Sequence, residues 1–192
     1  MNFYVFSIAY MAIFGYFGHL AKISRPTNIA LMILAGIVVN IPIKNLSINI
    51  LTYSFVGEMS VFLFTLSLVI IFENLKTHRI NLLNLKAFIF IFFFGLIVYL
   101  SVLNLIPLNI YYQNPYFIII ICCLICILGY FIHKILGIIY LICLLSYGLQ
   151  IMDSKNLFDY FIDAPTWILS IICILILSLK RFKKNESNSH TA

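Results

Sequence analysis

The residues of this chain best suited to binding chemistry are a few carboxylates and carboxamides. Glu58 interrupts a long apolar run, and Asp159 and Asp163 lie four residues apart in a short segment between two apolar runs. A carboxylate can hold a cation, accept a proton or pair with a basic side chain, and inside a membrane it usually faces the protein interior. Carboxamides lie near the ends of three further apolar runs. The candidate polar site consists of Glu58, Asp159, Asp163, Asn40, Asn104 and Gln150.

Glu58 is predicted to lie about one turn inside the third apolar run, where a charged group is costly. Two interpretations stay open. In the structural one, its carboxyl group hydrogen bonds to Ser60, to Asn104 or to a neighbouring helix. In the functional one, it belongs to a site that binds a cation or moves a proton.

Segment 156–163 is predicted to form a short helix at the membrane interface. Its apolar stripe consists of Leu157, Phe158, Phe161 and Ile162. Asp159 and Asp163 would share another face and repel each other unless a cation, a bound proton or a lysine such as Lys44 or Lys155 compensates. The alternative is structural: Asp163, directly before Ala164 and Pro165, is typical of a helix N-cap.

Membrane-spanning helices must position these residues. The chain of 192 residues is 64% hydrophobic and only 9% charged, whereas a soluble domain has about 25% charged residues. Seven apolar runs approach the roughly 20 residues that cross a bilayer. They cover residues 3–20, 28–43, 55–72, 87–107, 117–132, 135–152 and 164–179. We therefore expect one transmembrane domain over 1–184 and a disordered cytoplasmic tail over 185–192, with the short second run the weakest candidate for a complete crossing.

The predicted fold class is all-α, a polytopic bundle of about seven transmembrane helices. Strict alternation of polar and apolar residues, which a membrane β-barrel requires, is absent from the runs. All five prolines lie in connections or at run ends, where a missing N–H costs little.

The basic residues predict an orientation. With seven spans, ten of the twelve lysines and arginines fall on one side, and only Lys44 and Lys155 fall on the other. Because short cytoplasmic loops are enriched in lysine and arginine, we expect the N-terminus outside and the C-terminus in the cytoplasm. The candidate polar site then lies at the outer face. The net charge of +6 suits anionic lipid headgroups and does not indicate nucleic-acid binding.

Other chemistry finds little support. Cys122, Cys123 and Cys126 lie among isoleucines and leucines without a second group of ligands, and no predicted outer loop contains a cysteine for a disulfide. His19 and His133 lie too near the span ends to hold a haem between helices. Nucleotide-binding and hydrolase motifs are absent. We therefore assign no catalytic residue, no metal and no cofactor.

Two short stretches carry a resemblance. Gly57-Glu58-Met59-Ser60 is one, and residues 156–165, which include Asp159 and Asp163, are the other. Here the chain resembles a group of small, uncharacterised multi-pass inner-membrane proteins of proteobacteria. The resemblance implies a bacterial inner membrane and nothing about a reaction or substrate.

Three functions stay open. The first is an accessory or interaction subunit whose outer polar site contacts a membrane-protein partner, a lipid headgroup or a cation. The second is a small transporter or channel that uses Glu58 as an intramembrane carboxylate. The third is an enzyme acting on lipids with Glu58 or Asp159 as general base, for which the outer face offers only Lys44 and Lys155 as electrophile stabilisers.

Overall fold

The computed structural model describes residues 3–76, 83–107 and 109–189, with side chains through residue 181, and in these ranges the chain is helical without a β-strand. A short 3-10 turn, Phe3–Val5, leads into the first helix. The helices are α1 Phe6–Leu20, α2 Arg25–Val38, α3 Ile48–Val56, α4 Val61–Leu75, α5 Leu85–Val102, α6 Pro115–Ile132, α7 Lys134–Gly148, α8 Leu157–Phe161 and α9 Ala164–Ser189. The predicted all-α class is confirmed for the described residues.

Within the described ranges, four helical segments are long and apolar enough to cross a membrane: Phe3–Leu20, Leu85–Val102, Pro115–Ile132 and Ala164–Arg181. Three further apolar helices, α2, α4 and α7, are shorter. At 1.5 Å rise per residue, the 14 residues of α2 extend about 21 Å and the 15 residues of α4 or α7 about 22 Å.

Hydrogen bonds between distant segments define two ends of the bundle. At one end Ser60 binds Asp163, Tyr111 binds Asp159 and Asp153 binds Glu58. We call this the carboxylate end. At the other, Arg25 binds the Leu75 carbonyl and Lys180 binds the Leu20 carbonyl. We call that the basic end. Helices that succeed one another along the chain therefore connect alternately at these two ends.

Several predicted runs continue past the point where the helix stops. α5 ends at Val102, where the predicted run continues to 107, and α7 ends at Gly148, where the run continues to 152. Asn104 and Gln150 follow with φ of 55° and 51°, and their N–H groups bind Ser101 and Tyr147 carbonyls. The following N–H groups, of Leu105 and Ile151, bind the carbonyls of Leu100 and Ser146. This pattern is the Schellman motif, in which a residue in the left-handed conformation ends the helix.

The third predicted run, 55–72, is divided into the end of α3 and the helix α4. Gly57 has φ 76° and ψ −139°, a conformation that only glycine adopts readily, and it stops α3 at Val56. Ser60 then starts α4, because its hydroxyl accepts a hydrogen bond from the Leu63 N–H at 3.0 Å. Glu58 is therefore in a linker between two helices, which corrects its predicted position inside a helix.

Aromatic side chains fill the centre of the bundle under the carboxylate end. The Tyr140 ring on α7 is fully buried and stacks on Phe161 of α8 with ring centroids 5.1 Å apart. Phe62 of α4 and Phe94 of α5 pack on the same tyrosine at 4.8 and 5.9 Å. α8 is thus buried inside the bundle, whereas the sequence predicts a helix at the membrane interface.

The last helix continues through Ser189, although the sequence predicts a disordered tail from residue 185. Residues 190–192, with His190, lie outside the described residues, and so do 77–82, with His78.

Candidate functional site

A cavity of about 590 Å³ opens at the carboxylate end and contains the three predicted carboxylates. Its wall is formed by the end of α3, the linker to α4, the end of α5 and the segment from Met152 to Ala164. The polar and aromatic residues that line it are Tyr53, Glu58, Tyr99, Tyr111, Asp153, Ser154, Phe158, Asp159 and Asp163. Glu58, Asp159 and Asp163, although 105 positions separate the first from the last, therefore face one space.

Glu58 reaches this wall from the α3–α4 linker. One carboxylate oxygen accepts a hydrogen bond from the Asp153 N–H at 3.2 Å. Burial opposes ionisation of the Glu58 carboxyl, but hydrogen bonds, including that from Asp153, outweigh it and lower its pKa. Glu58 is thus an ionised group at the cavity, hydrogen bonded to the backbone of Asp153.

Asp159 is held by two hydroxyl groups. Tyr111 donates to Oδ1 at 2.8 Å, and Ser154 donates to Oδ2. Burial, followed by the hydrogen bond to Asp159, raises the pKa of the Tyr111 hydroxyl above its ordinary value. The phenol therefore stays protonated and continues to donate to the carboxylate at physiological pH.

Asp163 joins two helices. Its Oδ1 accepts from the Thr166 N–H at 2.8 Å, which is the geometry of the predicted N-cap, and its Oδ2 accepts from the Ser60 N–H at 2.9 Å. Ile162 before it is extended, with φ −153° and ψ 140°. Asp159 and Asp163 therefore belong to different helices and do not share one helix face, which corrects the predicted helix over 156–163.

The charged side chains that line the cavity are carboxylates. Glu58, Asp153, Asp159 and Asp163 line it, and among the described residues no lysine, arginine or histidine does. Tyr53, Tyr99, Tyr111 and Phe158 supply aromatic faces. Carboxylates beside aromatic faces are a suitable environment for an organic cation. Lys44 and Lys155, the lysines considered beside a cation or a bound proton as compensation for Asp159 and Asp163, are not among the lining residues.

The three carboxamides of the predicted site lie elsewhere. Asn40 donates to the Ser7 hydroxyl at 2.8 Å and accepts from Asn49 at 2.8 Å, in a polar network between α1, α2 and α3. Asn104 and Gln150 are exposed and form the Schellman caps of α5 and α7. The structure brings together the carboxylates of the predicted site and not its carboxamides.

Sequence reasoning missed the residues that position the carboxylates. One of them is Tyr111, whose N–H binds the Ser101 hydroxyl at 3.1 Å and whose carbonyl accepts from Asn156 at 2.9 Å. These bonds connect the end of α5 to the start of α8. The available signal was Asn156 before an apolar run, since asparagine commonly caps a helix.

The described residues contain no group of three or more His, Cys, Asp or Glu side chains that could hold a metal ion. All five cysteines are free thiols. His133 lies in the turn between α6 and α7, and burial lowers its pKa.

No protein-family model, curated protein or solved structure matches this chain.

Proposed function

We propose that the chain is a multi-pass protein of a bacterial inner membrane, with seven crossings, the N-terminus outside and the C-terminus in the cytoplasm. Four long apolar helices and three shorter ones connect alternately at the two ends, which supports an odd number of crossings. Lys22, Arg25, Lys76, Lys134 and Lys180 belong to the basic end or its turns. Their concentration there supports a cytoplasmic position for that end.

We propose that the protein is an accessory or interaction subunit whose outer cavity receives a positively charged group of a membrane-protein partner. One observation carries this proposal. Four carboxylates and four aromatic rings line a single cavity. The volume of about 590 Å³ is in the range of binding pockets for small groups.

The aromatic packing next to the cavity favours binding over transport. Phe158 lines the cavity and packs on Phe94, and Phe161 packs on both Phe94 and Tyr140, so aromatic rings adjoin the cavity inside the bundle. A transporter would need a polar path past these rings. An enzyme would need a cationic group near the carboxylates to stabilise developing negative charge, and neither Lys44 nor Lys155 lines the cavity.

Tetramethylammonium tests the charge preference of the cavity directly. Saturation-transfer NMR on the protein in phosphatidylcholine nanodiscs should show transfer to this cation. The double variant Glu58→Gln, Asp153→Asn should reduce the transfer several-fold, because two carboxylates then lose their charge. Glu73→Gln is the matched control, since Glu73 lies next to Lys76 at the basic end and should leave the signal unchanged. Equal signals from all three proteins would contradict a cation-binding cavity.

Co-purification in mild detergent tests the partner. Mass spectrometry should identify a membrane protein whose recovery with the wild-type chain exceeds that with the Glu58→Gln, Asp153→Asn variant by several-fold, while Glu73→Gln retains it. Purification of the wild-type chain alone, as a monodisperse monomer, would contradict an accessory role.

A further inference from the structure

The segment 41–56, which connects α2 to the linker before α4, has an unusually apolar surface. Phe55 is 84% exposed and Ile43 is 71% exposed. The exposed large apolar side chains of the segment's loop and its helix include Ile41, Ile43, Leu46, Ile48, Leu51 and Phe55. Its one charged residue is Lys44, in the turn where Ile43 pairs with Leu46. A surface of this kind requires an apolar environment.

Hydrogen bonds fix the depth of α3 beside α1. Asn49 donates to the Ser7 hydroxyl at 2.7 Å, and the Thr52 and Tyr10 hydroxyls are 2.7 Å apart. Ser7 and Tyr10 follow Phe3, the first residue of the candidate span Phe3–Leu20, by four and seven positions. At 1.5 Å per residue these contacts lie about 6 and 10 Å inside the end of that span. α3 therefore lies alongside the span and below its end.

The length of α2 agrees with this depth. Its 14 residues extend about 21 Å, roughly 9 Å less than the hydrocarbon thickness of about 30 Å. A helix that enters from the basic end and stops at Val38 leaves the chain inside the bilayer. The following segment 41–56 must then occupy the remaining thickness before α4 begins.

The side-chain donors of Asn49, Thr52 and Ser54 on α3 are satisfied within the protein, as a lipid environment demands. Thr52 and Ser54 donate their hydroxyl protons to the carbonyls of Ile48 and Ile50, each at 2.8 Å. Asn49 is fully buried and donates to Ser7 and Asn40. The helix can thus lie in hydrocarbon, because these donors have acceptors within the protein and need no water.

An apolar groove of about 360 Å³ continues from this segment onto the outer faces of α1 and α2. Its lining consists of Tyr10, Phe14, Leu31, Leu34, Ala35, Val38, Val39 and Ile48. Leu34 and Ile48 are 58% and 41% exposed, so the groove is open to the surroundings of the bundle. Its one polar group, the Tyr10 hydroxyl, already binds Thr52.

We infer that residues 41–56 form a membrane-embedded segment that lies in the leaflet at the carboxylate end, with lipid acyl chains on its exposed side chains and in the groove beside Ile48. The inference is independent of what the acidic cavity binds. It places α3 as a short helix inside the membrane, where the sequence alone predicts an outer loop followed by the start of a span.

Tryptophan fluorescence tests this placement, because the chain contains a single tryptophan, Trp167. In a Trp167→Phe background, Phe55→Trp and Ile48→Trp would each report on one exposed site. The proteins are reconstituted in phosphatidylcholine vesicles with or without bromine on the acyl chains, and iodide is the aqueous quencher. We expect brominated chains to quench both sites at least two-fold more than Lys155→Trp, an exposed site in the loop before α8. Iodide should show the reverse order.

Iodide quenching of Phe55→Trp equal to that of Lys155→Trp, with no excess quenching by brominated chains, would overturn the inference for α3. The same result at Ile48→Trp alone would overturn the acyl chain in the groove. If Trp167→Phe does not fold, Phe55→Cys in the unchanged background replaces it. A membrane-impermeant maleimide should then label Lys155→Cys and spare Phe55→Cys, and equal labelling would contradict the inference.

Discussion

Asp163 and Ser60 are 103 positions apart in the sequence, and the carboxylate of the first accepts a hydrogen bond from the N–H of the second at 2.9 Å. Both residues are N-caps, Asp163 of α9 and Ser60 of α4. The bond therefore joins the starts of two helices at the edge of the acidic cavity. It also occupies one oxygen of Asp163, while the other caps its own helix.

Asp163→Ala should lower the free energy of unfolding by about 2–4 kcal/mol, since it removes a helix cap and leaves the buried Ser60 N–H without its acceptor. Asp163→Asn should cost less, because one oxygen remains to accept. Unfolding in dodecyl sulfate, followed by Trp167 fluorescence, measures both. Asp153→Ala, at an exposed position, is the control. If Asp163→Ala lost no more unfolding free energy than the control, the hydrogen bond between Ser60 and Asp163 would not stabilise the contact of α4 with α9.

Stability above pH 10 should depend on Tyr111. The folded protein raises the pKa of this hydroxyl, mainly by burial and then by the bond to Asp159. The unfolded chain then releases the proton at lower pH, near 10, so stability is present below that pH and falls as pH rises further. We expect Tyr111→Phe to flatten this fall in a denaturant series from pH 8 to 11. Tyr112→Phe, an exposed neighbour, should retain the wild-type slope.

A contact at the basic end should appear in a double-mutant cycle between Gly18 and Asn28. Asn28 is fully buried and donates to the Gly15 carbonyl at 3.0 Å and to Asn74 at 2.8 Å. A Cβ on Gly18 would lie 2.1 Å from the Asn28 side-chain oxygen. Gly18→Ala should therefore cost about 1–3 kcal/mol by overpacking.

In the Asn28→Ala background the same glycine substitution should cost much less, because the clashing oxygen is gone. The sum of the unfolding free energies lost in the two single variants would then exceed the free energy lost in the double variant. Gly148→Ala is the control, since no atom lies within 4 Å of its added Cβ. Strictly additive losses at Gly18 and Asn28 would contradict the contact.

Gly57→Ala should destabilise the protein by about 1–3 kcal/mol, although no neighbouring atom lies within 4 Å of the added Cβ. The cost arises from the backbone, because φ 76° with ψ −139° is unfavourable for a residue with a side chain. Since Glu58 follows directly, the variant should also weaken tetramethylammonium binding. Thermal unfolding and the NMR assay measure the two effects. Wild-type stability and binding would show that the linker tolerates another conformation.

The helical character of the chain and several helix starts follow from local features, which the sequence contains. Apolar length and the proline positions predict the helices, and Asp163 before Ala164 and Pro165 predicts the N-cap of α9 that Thr166 completes. Helix ends were less predictable. Asn104 and Gln150 lie inside the apolar runs predicted at 87–107 and 135–152, but left-handed backbone conformations at these two residues end α5 and α7.

The sequence by itself determined that the chain is an apolar helical protein with its carboxylates concentrated near one set of helix ends, because hydropathy and charge are properties of each segment alone. Only the tertiary structure decided which of those groups meet. The break at Gly57 turns Glu58 toward Asp153, and the extended Ile162 separates Asp159 from Asp163 before both reach the same cavity. Such meetings depend on how helices with nearly uniform apolar surfaces pack, and hydropathy does not encode that choice.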